Sequence, residues 1–310
     1  MKTLQDIQNY ADFDNFEFLA NQIVEGFITG LHRSPFHGFS VEFAEHRIYN
    51  PGESTKHIDW KLYAKTDKLF VKRYQEETNL RCNIVIDTSS SMLYPFKHKV
   101  IESKLAFSLY SAAALIHLLR KQRDAVGISL FDKELYVHTD AKLSAIHAQM
   151  LYAQLYKTLH QSENSEQTFK KQTSIAPVLH QIAELSKKRS MVIVFSDFFQ
   201  SESYEELFAA FQHLRYNKHE VILFHVTEPN TEELFEFSNR PLQITDMETG
   251  EKIKVHPNNV RKFYAEQVKK ITDDLSLTAA QYHIDYNKAD INKGFYNVLL
   301  AYLLKRNKLF

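Results

Sequence analysis

Apolar residues follow two alternating patterns along residues 81–310. Nearly continuous apolar runs occur at 83–87, 125–131, 191–195 and 221–226. Apolar residues recur at three- and four-residue spacing over 104–119, 146–159, 175–185 and 205–214. The continuous runs are typical of strands buried on both faces, and the spaced pattern is typical of helices that cover them. The alternation predicts an α/β domain with a doubly wound, mostly parallel, Rossmann-like sheet.

The tail of this domain carries weaker patterns. A hairpin is predicted across 242–255 around Thr249-Gly250, and a helix from Val260 to about Ile271. The last strand is predicted at 281–286 and the last helix at 295–304. These elements complete a domain that we place at 81–310.

The N-terminal part follows other patterns. Apolar residues from Phe16 to Leu31 have helical spacing, which predicts an N-terminal helical segment within residues 1–33. Residues 34–80 contain short alternating stretches at 39–43 and 69–74 and the turn-forming sequence Asn-Pro-Gly at 50–52. We therefore predict a small strand-containing appendage between the helical segment and the main domain.

The composition of the chain bears on its cellular location and its binding partners more than on its chemistry. The chain has 38 Lys and Arg against 38 Asp and Glu, so no bulk attraction to nucleic acid or to anionic membranes is expected. Its single cysteine, Cys82, excludes disulfides within the chain and argues against a thiolate metal site. No run approaches the roughly 18 apolar residues of a membrane span. We expect a cytoplasmic protein without a membrane span.

The chemistry is concentrated where the first strand of the domain ends. The sequence Ile-Val-Ile-Asp-Thr-Ser-Ser-Ser-Met at 84–92 places the Asp87 carboxylate after a buried run, with the Ser89 and Ser91 hydroxyls two and four positions later. In open α/β sheets, binding sites lie at the carboxyl ends of the strands. Hydroxyl and carboxylate oxygens suit Mg²⁺ or Mn²⁺, so this loop predicts a divalent-metal site.

Two further loops carry matching groups, and together they resemble a known domain class. Thr173 precedes a predicted helix, and Asp197 follows another buried run. The set resembles the metal-ion-dependent adhesion site of von Willebrand factor A-like domains, which combines Asp-x-Ser-x-Ser with a Thr and an Asp from other loops. The resemblance implies that Ser89, Ser91 and Thr173 are direct metal ligands and that Asp87 and Asp197 act through water. Phe198 stands where many such domains have glycine.

Sequences upstream of this loop resemble one bacterial family. They are Arg-Ile-Tyr-Asn-Pro-Gly-Glu at 47–53, His-Ile-Asp-Trp-Lys at 57–61 and Phe-Val-Lys-Arg at 70–73. They resemble the domain-of-unknown-function family numbered fifty-eight (DUF58), whose members often accompany MoxR-type AAA+ ATPases. The resemblance implies an adaptor that works with such an ATPase, and whose bound metal accepts an acidic side chain from its protein partner.

The same residues are also compatible with other functions. Asp and Ser also cap helices, so Asp-x-Ser-x-Ser can be purely structural. A metal-free scaffold that binds through the appendage is one alternative. A Mg²⁺-dependent phosphohydrolase that uses Asp87 is another, but the general acid expected two residues later is replaced by Ser89. Neither a Gly-x-Ser-x-Gly elbow nor a P-loop is present. The favoured prediction is a metal-dependent protein-interaction module that is not an enzyme.

Overall fold

The computed structural model of the chain describes residues 16–32, 46–48, 60–66, 69–72, 80–95, 103–164, 175–198, 204–245 and 251–309. The chain divides into two compact units, one formed by residues 1–30 with 80–310 and the other by residues 31–79. The N-terminal helix α1 extends over Phe16–His32 and belongs to the larger unit up to residue 30.

The smaller unit contains a short antiparallel strand pair. Strand β1 is His46–Ile48, and it pairs with β2, Phe70–Lys72. In the sequence, the short helix α2, Trp60–Thr66, lies between the two strands. The strand predicted at 39–43 falls outside the described residues.

A six-stranded sheet forms the centre of the larger unit. Its strands are β3 (Arg81–Asp87), β4 (Ala125–Phe131), β5 (Leu135–His138), β6 (Met191–Ser196), β7 (Glu220–Thr227) and β10 (Asp285–Asp290). Strands β8 (Leu242–Thr245) and β9 (Lys252–Val255) form a separate antiparallel hairpin. The sheet order is β10-β7-β6-β3-β4-β5, and all neighbours are parallel except β4 and β5. The predicted doubly wound, mostly parallel sheet is confirmed.

Helices cover both faces of this sheet. They are α3 (Lys104–Lys121), α4 (Ala145–Asn164), α5 (Ile175–Leu185), α6 (Tyr204–Tyr216), α7 (Pro257–Gln281) and α8 (Tyr296–Leu309). On one face, Val85, Val194 and Leu223 pack with buried residues of α5, α6 and α7. Successive residues of a strand point to opposite faces, so Ile84 and Ile86 face the other side, where α3 packs against β3, β4 and β7.

Most of the predicted elements lie where the apolar pattern placed them, but the end of the chain differs. The strand predicted at 281–286 is wrong in position, because α7 continues to residue 281, His283 adopts a left-handed φ of 55° and β10 covers Asp285–Asp290. β10 is an edge strand with the polar sequence Asp-Tyr-Asn-Lys-Ala-Asp, so no apolar run marks it. The antiparallel edge strand β5 was not predicted, because it is short and half-exposed.

One glycine in the core is required by a close backbone approach. Gly127 lies in the middle of the buried strand β4, and a Cβ atom there would lie 2.3 Å from the Thr139 carbonyl oxygen and 3.0 Å from the Ala141 nitrogen. Residue 139 is held at this place because its N–H donates to the Ile128 carbonyl at 2.9 Å. Only glycine fits where residues 139–141 lie against this strand.

We expect Gly127→Ala to lower the free energy of unfolding by about 2–3 kcal/mol, since the backbone must move to admit the methyl group. Urea denaturation measures the change. Gly26→Ala is the matched control, because a Cβ atom there meets nothing within 4 Å and alanine is favoured inside helix α1 by up to about 1 kcal/mol. Equal effects of the two substitutions would contradict this prediction.

Candidate metal site

Asp87 ends the central strand β3 and is fully buried. Its Oδ1 accepts a hydrogen bond from the Ser89 N–H at 2.9 Å, and its Oδ2 accepts one from the Ser196 hydroxyl at 2.7 Å. Both partners are neutral. Burial, together with the nearby charge of Asp197, raises the pKa of Asp87 to about 7, although the hydrogen bonds from Ser196 and Ser89 lower it. Among the residues that the structure describes, the hydrogen bonds to this buried carboxyl group thus come from neutral groups.

The two serine hydroxyls of the loop lie side by side. The Ser89 and Ser91 hydroxyls are hydrogen-bonded to each other with an Oγ–Oγ distance of 3.0 Å, and the loop turns here into a short 3₁₀ helix, Ser90–Leu93. Two ligands at right angles in an octahedral Mg²⁺ site, each about 2.1 Å from the ion, are about 3.0 Å apart. The spacing of the hydroxyls therefore fits two neighbouring ligands of one small divalent cation.

Asp197 follows β6, the neighbour of β3 in the sheet, and is buried. The Lys104 ammonium donates a hydrogen bond to Asp197 Oδ2 at 2.8 Å, and neither side chain has any exposed surface. The same ammonium donates to Glu232 Oε1 at 2.5 Å. Burial alone would lower the pKa of Lys104, but the two carboxylates raise it above its ordinary value, so the ammonium stays charged.

The residue after Asp197 has an unusual backbone conformation. Phe198 has a left-handed φ of 52°, a region that favours glycine. Its N–H donates to Ser196 Oγ at 3.0 Å, and its ring packs edge-on against His225 at a centroid distance of 5.6 Å. Burial of the ring and this hydrogen bond compensate for the strain. They explain how this chain keeps phenylalanine where many von Willebrand factor A-like domains have glycine.

The structure brings together four of the five predicted site residues. Asp87, Ser89 and Ser91 form one loop, and Asp197 approaches it from the next strand closely enough to affect the pKa of Asp87. Thr173 lies outside the described residues, so its role as a ligand stays a prediction. Across the part of the chain that the structure covers, no three His, Cys, Asp or Glu side chains are grouped to hold a metal. A metal here would depend on the serine hydroxyls.

Sequence reasoning missed three residues of this region, Ser196, Lys104 and Glu232. Ser196 had a signal, since it ends the same buried run that Asp197 follows. Lys104 begins a helix of which almost every residue is buried, and a lysine within so apolar a sequence could have been recognised as a buried cation. Glu232 had no signal, because it lies 128 residues from Lys104 in the chain.

The sheet order and the Asp-x-Ser-x-Ser loop at the carboxyl end of its central strand define a von Willebrand factor A-like α/β domain. The chain belongs to the DUF58 family of proteins of unknown function, whose match covers residues 45–273. Relatives include uncharacterized proteins of Mycobacterium bovis and Mycobacterium tuberculosis. Each is 22% identical over 282 residues, which are 91% of this chain and 81% of the relative.

Solved structures with similarity to this chain include a conserved hypothetical protein, BatB, from Bacteroides thetaiotaomicron. It has 16% identity and a TM-score of 0.42 over 74% of this chain and 98% of that one. The VWA domain of SpRpn10 has 14% identity and a TM-score of 0.32 over 48% of this chain and 76% of its own. Among the helices that the structure describes, none is long and apolar enough to cross a membrane.

Proposed function

We propose that this protein is a metal-dependent protein-interaction module. Mg²⁺ or Mn²⁺ would be held directly by the Ser89 and Ser91 hydroxyls, and by Asp87 and Asp197 through water. Thr173 would be a further direct ligand, as the family resemblance implies. The metal supplies a positive charge that accepts an acidic side chain from a protein partner.

The observation that carries this proposal is the 3.0 Å separation of Ser89 Oγ and Ser91 Oγ beside the buried carboxylate of Asp87. Hydroxyls at this spacing suit one small hard cation, and a buried carboxylate whose direct partners are neutral gains stability from a cation nearby. The Ser89 side chain makes no capping hydrogen bond to the 3₁₀ helix that follows it; its hydroxyl is hydrogen-bonded to Ser91 instead, which keeps the two oxygens at the spacing of neighbouring metal ligands.

The resemblance to DUF58 proteins extends the proposal to the partner. We place a MoxR-type AAA+ ATPase first among candidate partners, in the cytoplasm, with no nucleic acid involved. A phosphohydrolase finds less support. Asp87 has no exposed surface from which to attack a substrate, and Ser89 occupies the position of the general acid.

A metal-free scaffold is a second candidate, and one observation favours it. Lys104 already provides a buried positive charge to Asp197, so part of the negative charge of the site is balanced without a metal. This candidate and the metal-dependent module differ in a single measurable property, the affinity of the chain for divalent ions.

We expect the chelator-stripped chain to bind Mg²⁺ and Mn²⁺ with saturation in isothermal titration. The double variant Ser89→Ala, Ser91→Ala should bind at least about tenfold more weakly, since even residues that only support a metal ligand are worth 10–100-fold in affinity. Ser111→Ala, Thr158→Ala is the matched control, because it removes two buried hydroxyls that lie on α3 and α4. No binding by the natural chain would overturn the proposed metal site and favour the scaffold.

A further inference from the structure

Lys104 forms ion pairs with two carboxylates that lie in segments following different strands of the sheet. It is the first residue of α3, and its side chain has no exposed surface. Asp197 follows β6, whereas Glu232 lies in the helical turn Pro229–Glu233 that follows β7. A buried ammonium between two carboxylates is held by strong electrostatic attraction, because water does not screen it. The turn after β7 is therefore tied electrostatically to the loop that carries Asp197.

The same turn also contacts the end of the serine loop. The Tyr94 hydroxyl donates to Thr231 Oγ1 at 2.5 Å, and the Tyr94 carbonyl accepts the Lys104 N–H at 2.9 Å. Glu228 fixes the turn, since its carboxylate accepts the Thr231 N–H at 2.8 Å. The second Glu232 oxygen accepts the Glu228 N–H, also at 2.8 Å. The turn after β7 is thus a further segment at this end of the sheet, beside the loops of Asp87 and Asp197.

The charge of Glu232 affects how strongly a cation can bind at the site. The Lys104 ammonium is 2.8 Å from Asp197 Oδ2, so its positive charge opposes a divalent ion held near Asp197. Glu232 places a second negative charge 2.5 Å from the same ammonium and offsets that repulsion. The free energy of cation binding must therefore depend on a residue that is not one of the predicted ligands.

We infer that Lys104 and Glu232 belong to the metal site as positioning residues: Lys104 holds Asp197 by one oxygen, and Glu232 offsets the ammonium charge and so maintains the affinity for the divalent ion. This inference rests on the proposed function, because it requires that the site binds a metal. It adds that the turn after β7 controls this affinity.

The test is isothermal titration of the variant Glu232→Gln, in the same chain of residues 1–310, with Mg²⁺ alone. We expect its affinity to be about tenfold weaker than that of the natural chain, because one negative charge beside the Lys104 ammonium is removed. Glu233→Gln is a closely matched control. Glu233 lies in the same turn, and it also accepts one hydrogen bond at each oxygen, from Thr227 at 3.0 Å and from Lys288 at 3.2 Å. Its affinity should stay within twofold of the natural value.

A charge-balanced double variant separates electrostatics from structure. Lys104→Met combined with Glu232→Gln removes one positive and one negative charge, so its affinity should be higher than that of Glu232→Gln alone, although the hold of Lys104 on Asp197 is lost. A purely structural role of Glu232 predicts further weakening instead, and that result would overturn the inference. If the double variant does not fold, the comparison of Glu232→Gln with Glu233→Gln decides alone.

The outcomes distinguish this inference from the proposed function. If the natural chain binds Mg²⁺ and Glu232→Gln binds equally well, or Glu233→Gln is weakened as much, the inference fails and the metal site stands. If the natural chain binds neither Mg²⁺ nor Mn²⁺, both fail together.

Discussion

Replacement of Lys104 by methionine should lower the free energy of unfolding by about 3–5 kcal/mol, because removal of one partner from a buried ion pair leaves an uncompensated charge. Methionine fills the volume of the lysine stem, so the loss comes from Asp197 and Glu232 rather than from a cavity. Asp197 has no exposed side-chain surface and Glu232 has 15%, so water cannot replace the ammonium at Asp197 and replaces it only in part at Glu232. The loss is a large part of the stability of an ordinary domain, which is about 5–15 kcal/mol.

Urea denaturation of the chelator-stripped chain measures this change. Lys288→Met is the matched control, because it breaks an ion pair with Glu233 in which the lysine side chain is 48% exposed. Exposed pairs are worth about 1 kcal/mol or less, so the control should unfold near the natural midpoint. Similar midpoints for both variants would show that the buried triad of Lys104, Asp197 and Glu232 does not contribute as the geometry indicates.

The parts of the fold that could be predicted are those where burial is uniform. β4 and α5 were predicted at their observed bounds, because a strand buried on both faces and a helix with one apolar face each leave a clear pattern. β5 and β10 left no such pattern, because both are edge strands with partly exposed side chains. Pro257 marks the start of α7, because proline is favoured in the first turn of a helix. The prediction of this helix used apolar spacing alone and therefore began later.

The residues of the candidate site likewise include some that could be predicted from the sequence and some that could not. Asp87 and the serines were predictable because the chemistry lies within five residues at the end of a buried strand. Asp197 was predictable because parallel strands bring their carboxyl ends to one edge of the sheet. The bridge from Lys104 to Glu232 was not, since it depends on where a turn after β7 lies in space, and neither composition nor spacing records that. Long-range ion pairs between buried side chains are a property of the tertiary structure.

Replacement of Asp87 by asparagine should stabilise the metal-free protein, and by an amount that depends on pH. Burial raises the pKa of Asp87 to about 7, against a value near 4 in the unfolded chain. Below pH 4 both states hold the proton and the carboxyl group imposes no penalty. As pH rises, the unfolded state releases its proton first, so stability falls until about pH 7, above which both states are ionised and the penalty is constant.

The free energy of unfolding of Asp87→Asn should therefore exceed that of the natural chain by a difference that grows by a few kcal/mol between pH 4 and 7 and then levels off. The asparagine oxygen can accept the Ser89 N–H and its amide can donate to Ser196 Oγ, so any loss of hydrogen bonding is a constant offset. Urea denaturation in chelator at pH 5, 6, 7 and 8 measures the difference, and a constant value across this range would contradict the prediction. If Mg²⁺ binds as proposed, adding it at pH 8 should stabilise the natural chain more than the variant, because the variant lacks one of the two carboxylate charges that the cation compensates.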